Sequence, residues 1–233
     1  MKILAVETSG AACSAALLID DIIEERFEIA PQQHTALILP MVDSLLQQAG
    51  LKLVELDALA FGCGPGSFTG VRIAASVVQG LAFGASLPVI PVSSLAALAQ
   101  GAHRAYGAAS VLTAADARMN EVYWAAYQIN QAGFMSLQGD EQVCTPATVP
   151  VPEQGVWLGA GSGWQSYGAL LEARMDGRLS GVNANCYPQA RDVARLAQGA
   201  YAQGAAVSAE HALPVYLRNE VTWKKQPIRE GTL

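Results

Sequence analysis

Charged side chains are scarce in this sequence. They make up 15% of its 233 residues, and hydrophobic residues make up 52%, whereas roughly 25% of an average soluble protein is charged. This composition excludes intrinsic disorder and predicts a densely packed protein with one large or two small domains. Lys and Arg number 14 against 20 Asp and Glu, so the formal charge is −6. This negative net charge argues against direct binding to nucleic acid phosphates, so a function in RNA chemistry would need a partner protein.

Cysteine and histidine are also few, and none has the spacing of a metal site. The four cysteines form no Cys-x-x-Cys pair, and the three histidines form no His-x-x-x-His pair. A zinc site, a helix-borne metalloprotease site and a short disulfide framework are therefore disfavoured. The cysteines are expected to be free, buried thiols in a reducing compartment. A Gly-x-Ser-x-Gly motif is missing too, which argues against a serine hydrolase.

Long hydrophobic runs are interrupted wherever they begin. The apolar start at residues 1–6 meets Glu7, which is too early for the 7–15 apolar residues of a signal peptide. A second stretch has no charged residue between Arg72 and Arg104, but Gly, Pro and Ser break it at spacings typical of helix, strand and helix. We therefore expect a cytoplasmic protein without a membrane span.

The first half of the chain alternates between strand and helix patterns. Strands are predicted at 2–8, 12–19, 22–29, 57–61 and 89–91. Helices are predicted at 35–48 and 69–83, with a third opened by Ser93 or Ser94 as its N-cap. Pro40 is expected within about the first turn of the first helix, where proline is best tolerated.

A similar pattern begins again after residue 107 and predicts a second lobe. Its strands are expected at about 110–115, 121–129, 134–137 and 156–159, and its helices at about 164–174 and 188–203. A Pro-rich loop is expected at 145–152.

A glycine-rich segment at 62–72 lies between a predicted strand and a predicted helix. Such loops bind anions, because glycine lets backbone N–H groups approach a phosphate and the helix adds its positive N-terminal end. Two standard fingerprints fail: Ser67 replaces the third glycine of a dinucleotide-binding loop, and a P-loop starting at Gly64 would need Gly-Lys at 69–70, where Thr69 and Gly70 stand. A tight turn without any ligand is the alternative.

Other residues could join that loop in holding a phosphate. Glu7 ends the first strand and Asp116 ends a later one, and a carboxylate at a strand end could hold a metal-bound phosphate or act as a base. For Asp116, a turn and a surface ion pair explain the sequence equally well. The segment 216–225 mixes aromatic and basic residues and is either a contact for RNA or a partner, or an exposed tail. The candidate phosphate contacts are Glu7, Gly64, Gly66, Ser67, Thr69, Gly70, Arg72 and Asp116.

Four segments together resemble the bacterial TsaB (YeaZ) family. They are residues 3–9 (ILAVETS), 64–73 (GPGSFTGVRI), 116–118 (DAR) and 214–221 (PVYLRNEV). The similarity covers essentially the whole chain. It implies an α/β fold of the two-lobed, actin-like ATPase type, with ribonuclease H-like lobes and mixed five-stranded sheets flanked by helices. The lobes would be 1–103 and 104–204, with 205–233 packing back on the first.

The resemblance also implies a function. The family takes part in placing a threonylcarbamoyl group on adenosine 37 of tRNAs that read codons beginning with A. In that system TsaD is the catalytic, metal-binding subunit, TsaE an ATPase partner, and TsaC the source of threonylcarbamoyl-adenylate. This chain would be a non-catalytic subunit without a metal or cofactor of its own, reaching tRNA through the complex. ATP or ADP with Mg²⁺ would belong at the complex interface.

Family members pair with TsaD, or with themselves, through helices that correspond here to about 35–49 and 69–84. The residues expected at the centre of that interface are Leu37, Met41, Leu45, Val71, Ala74, Ala75 and Val78. A homodimer is expected when the chain is alone. The alternative function is that of an ATP-binding phosphotransferase or ATPase of the same fold.

Overall fold

The first lobe is built on a mixed five-stranded sheet. The computed structural model describes residues 1–218. Strands β1 (Lys2–Glu7), β2 (Ala12–Ile19) and β3 (Ile22–Ile29) form an antiparallel meander, and β4 (Ala58–Gly64) and β5 (Val89–Ser93) run parallel to β1. The order across the sheet is β3-β2-β1-β4-β5. The C-terminal ends of the parallel strands β1, β4 and β5 therefore meet at one edge.

Helices cover both faces of this sheet because its central strands are apolar on both sides. Helix α1 (His34–Ala49) and helix α2 (Phe68–Ala85) pack on the face that carries Leu4 and Phe61. The opposite face, which carries Ile3 and Ala60, packs against α5 (Ala190–Ala202). Helix α2 has the length and hydropathy of a membrane span, but one side of it packs on β4.

The second lobe repeats the architecture. Its sheet contains β6 (Ser110–Asp116), β7 (Val122–Ile129), β8 (Met135–Cys144), β9 (Trp157–Ala160) and β10 (Leu179–Asn183), in the order β10-β9-β6-β7-β8. Helix α4 (Ser162–Met175) packs on one face with Trp124 and Trp164 in the core. Helix α3 (Ser94–Tyr106) packs on the other face and against α5, so it lies between the lobes.

The predicted fold class is confirmed, and the element predictions differ from the structure in four places. Strand β8 extends to Cys144, beyond the predicted end at 137, because its second half is polar without a clear alternation and gave no strand signal. Strand β10 was not predicted. Pro40 lies in the second turn of α1 rather than the first. Helix α5 packs on the first sheet, although the predicted boundary at 204 assigns it to the second lobe.

The segment after α5 returns to the first lobe. Val207 forms an antiparallel bridge with Val89 at the start of β5. Ala212 is fully buried in the core beneath α1 and α2. The segment therefore packs along the first lobe as far as Val215, whose N–H donates to the Cys63 carbonyl.

Candidate functional site

The glycine-rich loop lies at the sheet edge where β1, β4 and β5 end. Strand β4 ends at Gly64, and Ser67 caps α2 by accepting a hydrogen bond from the Gly70 N–H at 3.3 Å. This is the strand, loop and helix arrangement that the sequence predicted. The loop is therefore positioned as an anion-binding loop would be.

The loop packs directly on the turn between β1 and β2. The Ser67 N–H donates to the Ser9 carbonyl at 2.7 Å, and the Thr8 hydroxyl donates to the Gly70 carbonyl at 2.7 Å. A Cβ atom at position 66 would lie 2.6 Å from the Ser9 oxygen, and one at position 70 would lie 2.1 Å from the Thr8 oxygen. Glycine is required at both positions because two backbones touch there.

These contacts use groups that a bound phosphate would need. The Ser67 N–H already donates to Ser9, and the Gly70 N–H already donates to the Ser67 hydroxyl. Gly64 lies beneath the Val215 carbonyl, which would be 2.9 Å from a Cβ atom at position 64. Close backbone packing therefore accounts for the glycines at these positions.

Glu7 is a fully buried carboxylate beside the loop. Its side chain is completely inaccessible, and its carboxylate accepts hydrogen bonds from the Ser9 N–H at 2.5 Å and the Ser94 hydroxyl at 2.9 Å. It packs against Gly62, where a Cβ atom would lie 1.7 Å from a Glu7 carboxylate oxygen. Burial raises the pKa of the Glu7 carboxyl above its usual value, and the hydrogen bonds from Ser9 and Ser94 oppose this rise.

Replacing Glu7 with Gln is expected to make stability less dependent on pH. Because the folded-state pKa is raised, ionising Glu7 costs folding free energy as pH rises from the unfolded value of about 4.3 through the folded value. Glu7→Gln removes this cost while keeping the shape and an acceptor for Ser9. Denaturant unfolding should therefore show the variant gaining stability relative to wild type as pH rises, with no such gain below the unfolded value. An equal difference at every pH would contradict a buried, titrating Glu7.

Thr69 and Arg72 occupy the exposed first turn of α2. The guanidinium carbon of Arg72 lies 3.3 Å from the centre of the Phe68 ring and 5.4 Å from that of Tyr216. The two rings are 5.8 Å apart. A cation–π arrangement therefore holds Arg72 at the surface beside the loop.

Asp116 ends strand β6 in the second lobe. Its carboxylate accepts hydrogen bonds from the Arg118 N–H at 2.7 Å and from the Ser166 hydroxyl at 3.1 Å. Among residues 1–218 it makes no hydrogen bond to the loop or to Glu7. It closes the turn between β6 and β7, as the turn-forming alternative predicted.

Cys63, in the glycine-rich loop, is a buried and unreactive thiol. Cys63 is 6% exposed, and burial raises the pKa of its thiol to about 12, so it is not a thiolate near neutral pH. Within the described 218 residues, no group of three or more His, Cys, Asp or Glu is placed to hold a metal ion.

The predicted partner-interface residues divide into two groups. Leu45, Val71, Ala74, Ala75 and Val78 are at most 3% exposed and form the core between the two helices and the sheet. Leu37 and Met41 are half-buried against that core. The five buried residues face inward, so a partner on these helices would contact other side chains.

The outer surface of α1 and α2 carries large exposed apolar side chains that the sequence analysis did not single out. Phe83 is 82% exposed and Leu39 is 50% exposed. Ser76, Gly80 and Gly84, one turn apart along α2, are also exposed. When both sides of a helix are apolar, periodicity alone does not distinguish the side that faces the sheet.

The C-terminal segment reaches both the loop and the second lobe. The Val215 N–H donates to the Cys63 carbonyl at 2.8 Å. The Arg218 guanidinium donates to the Ala117 carbonyl at 3.0 Å and forms an ion pair with Glu121. Residues 219–225 of the predicted RNA or partner contact at 216–225 lie outside the described residues. Sequence spacing gave no signal for these contacts, which join residues about 100 positions or more apart in the chain.

Comparisons with known proteins agree with the motif resemblance. Residues 22–226 match the family model described as TsaD: tRNA N6-adenosine threonylcarbamoyltransferase. The chain is 46% identical to the tRNA threonylcarbamoyladenosine biosynthesis protein TsaB of Escherichia coli, covering 99% of this chain and 100% of that protein. It is 44% identical to TsaB of Haemophilus influenzae, covering 99% of each. The solved structure of YeaZ from Pseudomonas aeruginosa aligns with a TM-score of 0.87 and 49% identity, covering 93% of this chain and 99% of that one. The two-lobed architecture is therefore the actin-like ATPase fold.

Proposed function

Since the chain belongs to the TsaB (YeaZ) family of tRNA threonylcarbamoyladenosine biosynthesis proteins, we propose that it is a required, non-catalytic subunit of the machinery that forms this modification. Its target would be adenosine 37 of tRNAs that read codons beginning with A. In this proposal the chain scaffolds and activates a TsaD subunit, which carries the metal and performs the transfer. TsaE would act in the same complex, and TsaC would supply threonylcarbamoyl-adenylate.

The observation that carries this proposal is the exposed apolar surface of α1 and α2. Phe83 and Leu39 are large apolar side chains in water, and Gly80 leaves room for a second helix to approach. Among the described residues Phe83 is the most exposed large hydrophobic side chain, and large exposed apolar patches mark protein interfaces. The same surface would serve a homodimer when TsaD is absent, because both partners would cover the same helices.

The chemistry near the loop supports a partner role over catalysis. Glu7 is inaccessible, Asp116 lies in the other lobe, and the Cys63 thiol has a raised pKa. A catalytic group must come within hydrogen-bond reach of the atom it acts on. These residues are not placed to reach a substrate atom, and the family's catalysis would then come from TsaD.

Any nucleotide would bind at the junction with TsaD. The buried contacts of Ser67 and Gly70 leave Thr69 and Arg72 as the accessible polar residues of the first turn of α2. These two residues would contact the phosphates of ATP or ADP. Bound Mg²⁺ would neutralise part of the phosphate charge. The chain would need no cofactor of its own, and tRNA would be bound by the complex.

The test is reconstitution of the modification from purified proteins. TsaD, TsaE and TsaC would be incubated with tRNA, ATP and the substrates from which TsaC makes threonylcarbamoyl-adenylate, with or without this chain, and digested nucleosides would be scored by mass spectrometry. We expect threonylcarbamoyladenosine only when the chain is added. Full modification without it would contradict the proposal.

The alternative, an ATP-binding phosphotransferase or ATPase, is distinguished by a second measurement. It requires the isolated chain to bind or hydrolyse ATP. Calorimetry of the pure protein with ATP and Mg²⁺ should show no binding if the chain is a subunit only. Saturable binding with turnover would favour the enzyme.

A further inference from the structure

A concave site lies on the second lobe, on the side of the sheet that packs against α4. It has a volume of about 460 Å³ and is enclosed by β7, β8 and the segment 150–154. Its walls include Trp124, Trp157, Gln138, Asp140 and Glu153. The volume falls in the range of small-molecule sites, and the site uses none of the loop or helix residues described above.

The charge of the lining restricts what can bind. Asp140 and Glu153 are exposed carboxylates, and three glutamine amides, Gln128, Gln138 and Gln142, lie beside them. Within the described part of the chain, no Lys, Arg or His lines the cavity. A nucleotide phosphate would be repelled by both carboxylates, whereas a cation would be attracted by them.

An irregularity in the sheet places Asp140 in this site. Opposite β7, residue 142 pairs with Trp124 and residue 138 pairs with Ala126, so residues 139–141 bulge out of the ladder. Gly139 adopts a left-handed φ of 81° within the bulge. Asp140 consequently lines the cavity, while Glu141 accepts hydrogen bonds from Tyr127 and Ser93 near the start of α3. Bulges commonly re-aim a side chain in this way.

Trp124 supplies a second, independent feature. The residue is only 1% exposed and lines the cavity. Its indole N–H has no hydrogen-bond acceptor among residues 1–218, whereas Trp157 donates to Gln154 and Trp164 donates to Leu112. Among the described residues, only Arg191 Nε is a fully buried side-chain nitrogen or oxygen without a partner, so the Trp124 N–H reaches solvent and is free to donate. A ligand with a carbonyl or hydroxyl oxygen would satisfy it.

We propose that this cavity binds an organic cation of the guanidinium or alkylammonium class. Asp140 and Glu153 hold the charged group, the glutamine amides and the Trp124 N–H bind polar atoms next to it, and the prolines and indoles of the wall contact its alkyl chain. The cation has two sources, a free small molecule or a basic side chain presented by a partner protein. An arginine in an extended peptide also offers a backbone carbonyl to Trp124.

The probes would be agmatine and a capped Ala-Arg-Ala tripeptide, titrated into the full chain and followed by the NMR resonances of the indole N–H groups. Trp124→Phe identifies the Trp124 signal. We expect that signal to shift saturably, and a matched Ala-citrulline-Ala peptide, which is neutral, to leave it unchanged. Tighter binding of the arginine peptide indicates a partner side chain as the source, and tighter binding of agmatine indicates a free ligand.

Removing the charges tests the assigned residues. Asp140→Asn and Glu153→Gln are each expected to weaken binding about threefold, as exposed ion pairs do, and together about tenfold if they act independently. Glu172→Gln changes an exposed acid on α4 outside the cavity and should bind as wild type does. If the Trp124 indole signal does not shift at about 10 mM peptide, the dissociation constant exceeds this concentration and binding is negligible. That result would overturn the proposal. So would equal binding of the citrulline peptide or full affinity in the double variant.

Discussion

Gly70→Ala is expected to lower the free energy of unfolding by about 3 kcal/mol, since overpacking against immobile neighbours costs this much or more. The new methyl group would lie 2.1 Å from the Thr8 carbonyl oxygen. This neighbour is backbone, held by the hydrogen bond between the Thr8 hydroxyl and the Gly70 carbonyl. The start of α2 must therefore move away from the turn between β1 and β2.

The matched control is Gly80→Ala in the same helix. A Cβ atom at position 80 meets nothing within 4 Å. Alanine is the better helix former, so this variant should be more stable than wild type by about 0.5–1 kcal/mol. Thermal unfolding should show midpoints moving in opposite directions, down by roughly 6–12 °C for Gly70→Ala at about 2–4 °C per kcal/mol. Equal midpoints for the two variants would show that the loop is not packed on that turn.

Much of the fold could be predicted because its signals are local. The strands at 12–19 and 22–29 coincide with β2 and β3, and both long helices of the first lobe begin and end within two residues of the predicted bounds. The placement of α5 could not be predicted in this way. Its period shows one apolar face. Whether that face packs on the first or the second sheet depends on long-range contacts, which periodicity does not reveal.

The candidate site shows the same division. The glycine loop was found because glycine, strand and helix signals coincide at 62–72. Its role was harder to predict, since glycines that approach a phosphate and glycines that approach another backbone look alike in sequence. What decides between them is Thr8 and Ser9, about 60 residues away in the chain. Likewise, Ala75 and Gly80 both look suited to close helix packing, and only the position of β4 shows that Ala75 faces inward.

Gly80→Arg is expected to abolish association with TsaD while leaving the chain folded. Gly80 is exposed on the outer surface of α2, near Phe83 and Val77, and has open space around it. In the isolated chain the arginine would extend into water. In the complex it would bury an unpaired charge, which typically costs 3–5 kcal/mol, or a loss of affinity of about 100-fold or more.

Co-purification and sedimentation would measure the loss of the complex, and the unfolding midpoint would verify the fold. Ala169→Arg, which places the same side chain on the exposed side of α4, is the matched control and should retain TsaD binding. Ala75→Arg is unsuitable, because Ala75 is 3% exposed and the arginine would disrupt the core.

If this surface also forms the homodimer, Gly80→Arg should convert the free chain to a monomer, because each copy would place its arginine against the other at a two-fold interface. Threonylcarbamoyladenosine formation should fall with TsaD binding and recover in part at high concentrations of the variant, since mass action restores a weakened complex. Retained TsaD binding by a folded Gly80→Arg variant would place the interface elsewhere. The apolar exposure of Phe83 and Leu39 would then require a different partner.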